Sequence, residues 1–341
     1  MRPVAIPAMV NAHSHAFQRG LRGVGEKPTG ENDSFWTWRE TMYELAGSLD
    51  PDALRAASAA AFAEMRAAGY GVVGEFHYLH HPDGMTEAVI EGARDAGLPL
   101  VLLPAAYARG GHERFRDASL DAFLERAERL AASGIAAHSV RAVPADWLAE
   151  IARYADDRGL VRHVHASEQP RELEECAAEH GCTPIELLHR TGFLGPRTSV
   201  IHATHVTDRD IELLADSQTI VVVCPTTEAN LGDGHAPALR LAEAGVRIAI
   251  GSDSNVRIDP FEEVREIETD ARREALSRTA LLARTGDLWG ELACNGAASL
   301  GVGGAGEIEV DLDHPQLAGV SEDDVPWALA TCASAEVVCA S

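Results

Sequence analysis

Apolar runs of strand length alternate with helical patterns along most of this chain, and that alternation restricts the fold more than any other feature. Strands are expected at 6–10, 70–76, 98–105, 135–143, 161–166, 199–205, 219–224 and 246–252. Helices are expected at 51–68, 85–96, 120–132, 145–158, 171–180, 184–190, 208–215, 238–244 and 260–283. Gly69, Gly97 and Gly159 stand just past three of those helices, where a left-handed residue ends the helix. Strands separated by helices pair in parallel through crossovers. Eight such units over roughly 250–280 residues specify a (β/α)8 barrel of the TIM type. A doubly wound sheet rarely needs eight, and no Gly-x-Gly-x-x-Gly turn follows the first strand. The segment 20–40, inserted after that strand, starts polar and Gly-rich and then carries Phe35-Trp36-Thr37-Trp38-Arg39. Lying in a βα loop, it suits a lid. The rhythm breaks after Asp287.

Functional side chains of such barrels sit at the C-terminal ends of the strands. Titratable groups recur there: His13 and His15; Glu75, His77, His80 and His81; His138 and Arg141; His163, His165 and Glu168; His202 and His205; Asp253. One strand histidine is ordinarily a hydrogen-bonded structural residue. Six strand ends carrying histidine or aspartate in one register are not explained that way. In His13-Ser14-His15 the two imidazoles, at i and i+2, leave the strand on one side and make half of a metal site. A catalytic zinc site takes a few His, Asp or Glu ligands and keeps a position open. His13, His15, His165 and Asp253 supply three imidazoles and a carboxylate. His163 shares a strand side with His165 and rivals it, although Glu168, three residues on, favours His165. His77, His80 and His81 read as a partly exposed, histidine-crowded loop.

The composition, 46% hydrophobic and 24% charged, is that of a soluble globular chain, with no apolar run near the ~20 residues that span a bilayer. A formal charge of −24 argues against nucleic acid as a partner. Neither a basic-then-apolar leader nor a CxxC pair is seen, so a cytoplasmic protein is expected, with its six cysteines reduced and no membrane partner. Of 29 basic residues only Lys27 is lysine, which nearly removes any mechanism that needs a lysine in the barrel.

His-x-His after the first strand, histidines after the fifth and sixth and an aspartate after the eighth resemble the amidohydrolase superfamily. Its members are metal-dependent hydrolases on a (β/α)8 barrel, and the binuclear ones bridge two metals through a carboxylated lysine after the fourth strand. Here that strand offers His138 and Arg141 instead. The resemblance therefore implies one metal per chain, Zn2+ with Fe2+ as the alternative, bound by His13, His15, His165 and Asp253. Asn11-Ala12-His13-Ser14-His15-Ala16-Phe17-Gln18-Arg19, Phe35-Trp36-Thr37-Trp38-Arg39-Glu40, Glu75-Phe76-His77-Tyr78 and His165-Ala166-Ser167-Glu168-Gln169 are similar to the formimidoylglutamate deiminase branch. That branch hydrolyses N-formimino-L-glutamate to N-formyl-L-glutamate and ammonia in histidine degradation.

The resemblance implies Asp253, Glu168 and His202 as catalytic groups: acceptor of the water proton, proton shuttle to the leaving nitrogen, and stabiliser of developing charge. It implies Gln18, Arg39, Tyr78, His138 and Arg141 as binders of a small dianionic substrate. Planar guanidiniums suit carboxylates; taken alone, Arg39 reads equally well as a surface partner of Glu40 or Glu44. Another mononuclear aminohydrolase, such as a purine or cytosine deaminase, and a non-catalytic truncated relative are the competing readings. A ring deaminase would want stacking side chains and few arginines. A homodimer is expected. The barrel is expected over 1–285, with 286–341 the remnant of the family's small β-domain, which looks incomplete.

Overall fold

The computed structural model describes residues 2–28, 30 and 33–339. Ten strands run in chain order: β1 (Pro3–Pro7), β2 (Met9–Ser14), β3 (Tyr70–His77), β4 (Leu100–Ala106), β5 (Gly134–Ser139), β6 (Val161–Ala166), β7 (Thr198–His202), β8 (Ile220–Val223), β9 (Arg247–Ile250) and β10 (Glu307–Asp311). β2 to β9 form one parallel sheet in sequential order, the arrangement of the expected barrel. The seam between the first and last of these strands is drawn together by an isolated Ser14–Asp253 bridge. There Asp253 N–H donates to the His13 carbonyl (3.0 Å) and His15 N–H to the Asp253 carbonyl (2.9 Å). Gly251 makes the close approach possible: a Cβ at that position would lie 2.6 Å from the His13 oxygen.

The single strand expected at 6–10 is two strands. β1 pairs antiparallel with β10 in a separate two-stranded sheet, while Met9 enters the barrel and the strand runs on to Ser14. His13 and Ser14 therefore lie in the strand, not beyond it. The long helix expected at 260–283 ends at Ala275, because Leu276 turns into the left-handed region (φ 48°), and a short helix resumes at Leu281–Thr285. The expected loop lid is instead a 14-residue helix, Phe35–Ser48, begun by a reciprocal Ser34–Thr37 capping box. Helix Leu288–Leu300, unrecognised in the sequence, packs on β2 and β9, and its Trp289 Nε1 donates to the Pro7 carbonyl at 2.8 Å. A division at residue 285 thus separates this helix from the strands it covers. Among the described residues no helix is long and apolar enough to cross a membrane.

Candidate active site

The ends of β2, β6 and the segment after β9 bring His13, His15, His165 and Asp253 together, all buried, with one ligand atom of each within 4.8 Å of the others. His165 Nε2 lies 3.1 Å from His13 Nε2 and 3.3 Å from His15 Nε2. Asp253 Oδ1 lies 3.3 Å and 3.4 Å from the same two nitrogens of His13 and His15. The outer nitrogens decide the tautomers. His15 Nδ1 donates to the Phe76 carbonyl (2.7 Å) and His165 Nδ1 to the His138 carbonyl (2.9 Å), since a carbonyl only accepts. In those two neutral rings Nε2 is therefore a bare lone pair, whereas His13 Nδ1 has no partner and His13 Nε2 faces Asp253 Oδ1.

Protonation does not relieve this crowding. Burial drives His13 down to about 3, against the pull of Asp253, and drives His15 and His165 down as well. Burial opposes the ionisation of Asp253, but the His13 hydrogen bond and the charge of His202 outweigh it and hold Asp253 below the carboxylate range. Three neutral imidazoles and one carboxylate form a cation's donor set. Donors ~2.0–2.1 Å from one small ion, at tetrahedral angles, stand ~3.3 Å apart, which is the spacing seen. The residues fit a single divalent metal.

Beside this cluster, His202 lies at the end of β7. Its Nδ1 is 3.1 Å from Glu228 Oε1 and its Nε2 is 3.6 Å from Glu168 Oε1. Burial disfavours the imidazolium, but Glu168, Glu228 and Asp253 outweigh it and push His202 up to about 10. Glu168 bridges two functions, because its Oε2 accepts from Arg141 Nη2 at 3.0 Å. A backbone N–H also ties Glu168 to Glu172 Oε2 (3.0 Å).

A cavity of about 240 Å³ opens onto these groups. Gln18, Arg39, Tyr78, His138 and Arg141 all line it, as do His15, His165, Glu168, His202 and Asp253; His13 lies behind. Gln18 Nε2 donates to Tyr78 Oη at 2.7 Å, and His138 packs on Tyr107 with 4.5 Å between ring centroids. Arg39 is not simply a surface partner of Glu40. That contact is 3.9 Å, while its guanidinium lies over the Trp36 ring at 4.7 Å. Asp253 and Glu168 thus face a wall that carries cationic groups, which an anionic ligand complements.

His163 shares the side of β6 with His165, as the periodicity requires, but lies two residues nearer the strand start, where its Nε2 donates to the Ser299 carbonyl (3.0 Å). It is a structural residue. His77 and His80 are buried, contrary to the exposed loop expected; His80 Nε2 donates to the Ala105 carbonyl at 3.1 Å. Glu228, which orients His202, was missed. It sits in the seven-residue helix Pro225–Leu231, too short to show a period, and its partner is 26 residues away. Trp36 and Tyr107, two aromatic walls of the cavity, were also not assigned to the site.

Comparison with known proteins agrees with this geometry. The profile of the amidohydrolase family matches residues 4–311. The chain is 36% identical over 329 residues to formimidoylglutamate deiminase of Pseudomonas aeruginosa, covering 87% of this chain and 72% of that one. It is 30% identical over 334 residues to a 5-methylthioadenosine/S-adenosylhomocysteine deaminase of Haloarcula marismortui, covering 92% and 74%. An amidohydrolase from Brucella melitensis superposes with a TM-score of 0.84 at 32% identity, over 98% of this chain and 84% of that one. A zinc-bound adenosine deaminase from Xanthomonas campestris superposes at 0.86 with 25% identity, over 98% and 78%. The chain is a metal-dependent hydrolase of C–N bonds, and it belongs to the amidohydrolase family.

Proposed function

We propose that the chain hydrolyses N-formimino-L-glutamate to N-formyl-L-glutamate and ammonia, with one zinc ion held by His13, His15, His165 and Asp253, and so acts in histidine degradation. The observation that carries this reading is the placement of Arg39 and Arg141, with Tyr78 and Gln18, in the same cavity as the metal-type cluster. Two guanidinium groups offer a dianion the bidentate contacts that a neutral nucleobase does not use. Similarity to the Pseudomonas aeruginosa deiminase supports the same substrate.

When bound, the cation supplies Lewis acidity and lowers the pKa of a water molecule from ~15.7 toward ~7. The rest falls to the side chains. Arg39, Arg141 and Tyr78 hold the carboxylates and leave the formimino carbon facing the cluster. Asp253 takes the proton of the attacking water. Glu168 receives that proton by way of Asp253, and then the proton of the new hydroxyl, and hands both to the leaving nitrogen; its Oε1 lies on the His202 side and its Oε2 on Arg141. His202, kept protonated by its three carboxylate neighbours, donates to the oxygen on which charge develops. The carbon–nitrogen bond breaks, ammonia leaves and the formyl group remains on glutamate.

A nucleoside deaminase is the second reading, favoured by the aromatic lining of Trp36, Tyr78 and Tyr107 and by the 5-methylthioadenosine deaminase relatives. Ammonia release by the zinc-loaded protein separates the two. N-formimino-L-glutamate should be turned over, with adenosine, 5-methylthioadenosine, guanine and cytosine inert. Turnover of a nucleoside in place of the formimino compound would refute the proposal.

A further inference from the structure

We propose that Trp36 sets the specificity of this site by holding Arg171 as a further carboxylate-binding group beside Arg39. The inference rests on the dianionic-substrate reading above. Four arginines line the cavity: Arg39, Arg109, Arg141 and Arg171. One of them is committed and one is shared. Arg109 is spent on both oxygens of Glu179 (2.8 and 2.9 Å) and on the Arg141 carbonyl (3.0 Å). Arg141 is shared: its Nη2 donates to Glu168, while its Nε has no partner and is left for the substrate.

The other two lie closest to one indole, the Arg171 guanidinium 4.5 Å and the Arg39 guanidinium 4.7 Å from the Trp36 ring centroid, with Arg141 farther off at 5.5 Å. An aromatic face attracts a guanidinium without neutralising it, and it leaves the N–H donors free for a planar oxyanion. Arg171 does have a partner, Glu175 Oε1 at 2.7 Å. That pair is i,i+4 on a helix surface, with the two side chains 59% and 46% exposed, so water and salt screen it and a substrate carboxylate can displace it. Trp36 and Arg171 are each the second residue of a helix, Phe35–Ser48 and Pro170–His180. The capping box at Ser34 fixes the first of these and with it the indole. Two distant βα loops thus meet across the cavity through this contact.

The test is steady-state kinetics of the zinc-loaded protein on three substrates: N-formimino-L-glutamate, 4-(formimino)aminobutyrate, which lacks the α-carboxylate, and N-formimino-L-norvaline, which lacks the side-chain carboxylate. Arg171→Gln should raise KM for the dianion about tenfold with kcat nearly unchanged, the loss of one charge-assisted contact. With the analogue that lacks the carboxylate bound by Arg171 the effect should vanish. Trp36→Leu should reproduce the KM increase, and Trp36→Phe should restore most of it. Glu175→Gln, which frees Arg171, should lower KM. An unchanged KM in Arg171→Gln, or the same fold increase with all three substrates, would overturn the inference. Arg171→Gln alters a half-exposed side chain and decides the case even if Trp36→Leu perturbs folding. Failure of the unmutated protein to release ammonia from N-formimino-L-glutamate would instead count against the parent reading.

Discussion

Glu75 stands inside the barrel wall where a carboxylate is costly. It is 1% exposed and faces Ser14 across the β2–β3 ladder. Its Oε1 accepts the Ala16 N–H at 2.7 Å, while its Oε2 has no partner. Burial raises its pKa to about 8, against the smaller opposing pull of the Ala16 and Ser14 hydrogen bonds. In the unfolded chain the same group titrates near 4.5. Between those values the folded state holds a proton that the unfolded state has lost, so stability falls as pH rises. The contribution is fully present below about 4.5 and is lost through about 8. At pH 7.5 the loss is three pH units at ~1.36 kcal/mol each, about 4 kcal/mol as an upper figure. Glu75→Gln keeps the acceptor for Ala16 and cannot ionise. It should therefore stabilise the protein by up to about 4 kcal/mol near pH 7.5 and by about 1 kcal/mol near pH 5.5. Urea denaturation at pH 5.5, 7.0 and 8.5 reads the difference directly through the midpoint at constant m. A divalent cation in the adjacent cluster favours the carboxylate, so the gap should widen after chelation. Equal stabilisation at all three pH values, or destabilisation that grows with pH, would show that Glu75 does not carry a buried proton.

Arg141→Met removes a guanidinium that lines the cavity, and the loss of its charge-assisted bond to a substrate carboxylate, about 1.5–3 kcal/mol, should raise KM roughly 10–150-fold while zinc content stays normal by elemental analysis. Glu228→Gln takes away a carboxylate that raises His202. The high-pH limb of the kcat profile should move to lower pH and kcat should fall about tenfold, with KM little changed; an unmoved limb would remove His202 from the chemistry. His165→Ala should abolish stoichiometric metal binding, because two of the shortest donor contacts in the cluster run through its Nε2. Chelation leaves those lone pairs facing one another, and metal at 100 times its Kd should restore about 2.7 kcal/mol of stability, read as a shift in the unfolding midpoint.

Local signals carried much of this architecture. Helices Pro51–Ala68 and Ala145–Arg158 begin with a proline or just after one and end at a glycine, and the structure keeps the same limits. Periodicity was equally sound in placing His163 and His165 on one side of β6; it could not say how deep each lies, which the Ser299 carbonyl decides. The candidate ligands were legible because a barrel brings strand ends together in chain order. Partners that depend on tertiary approach were not. Glu228 reaches His202 only after β7 and β8 are side by side, and Trp36 meets Arg171 only after two loops fold over the cavity.

The backbone at the strand ends was illegible for a different reason. Ser167, His202, Asp253 and Asn255 all take positive φ (57°, 74°, 43° and 59°), where a side chain costs of order 1–3 kcal/mol. Propensity would place glycine at such positions, and only the closed barrel outweighs it. Asn255 Nδ2 donates to Ser14 Oγ (3.1 Å) and to the His15 and Asp253 carbonyls (3.0 Å each), and its Oδ1 accepts from Ser252 Oγ (2.6 Å). Asn11 Nδ2 in turn donates to Ser252 Oγ at 2.7 Å. This buried network locks the turn after β9 to the end of β2. It aims the Asp253 carboxylate at His13 and His15 in a conformation that an isolated strand end would leave. The strain falls on His202 and Asp253, which point into the site, and on Asn255, which locks the turn, so the candidate metal site is a property of the barrel's closing seam rather than of any one loop.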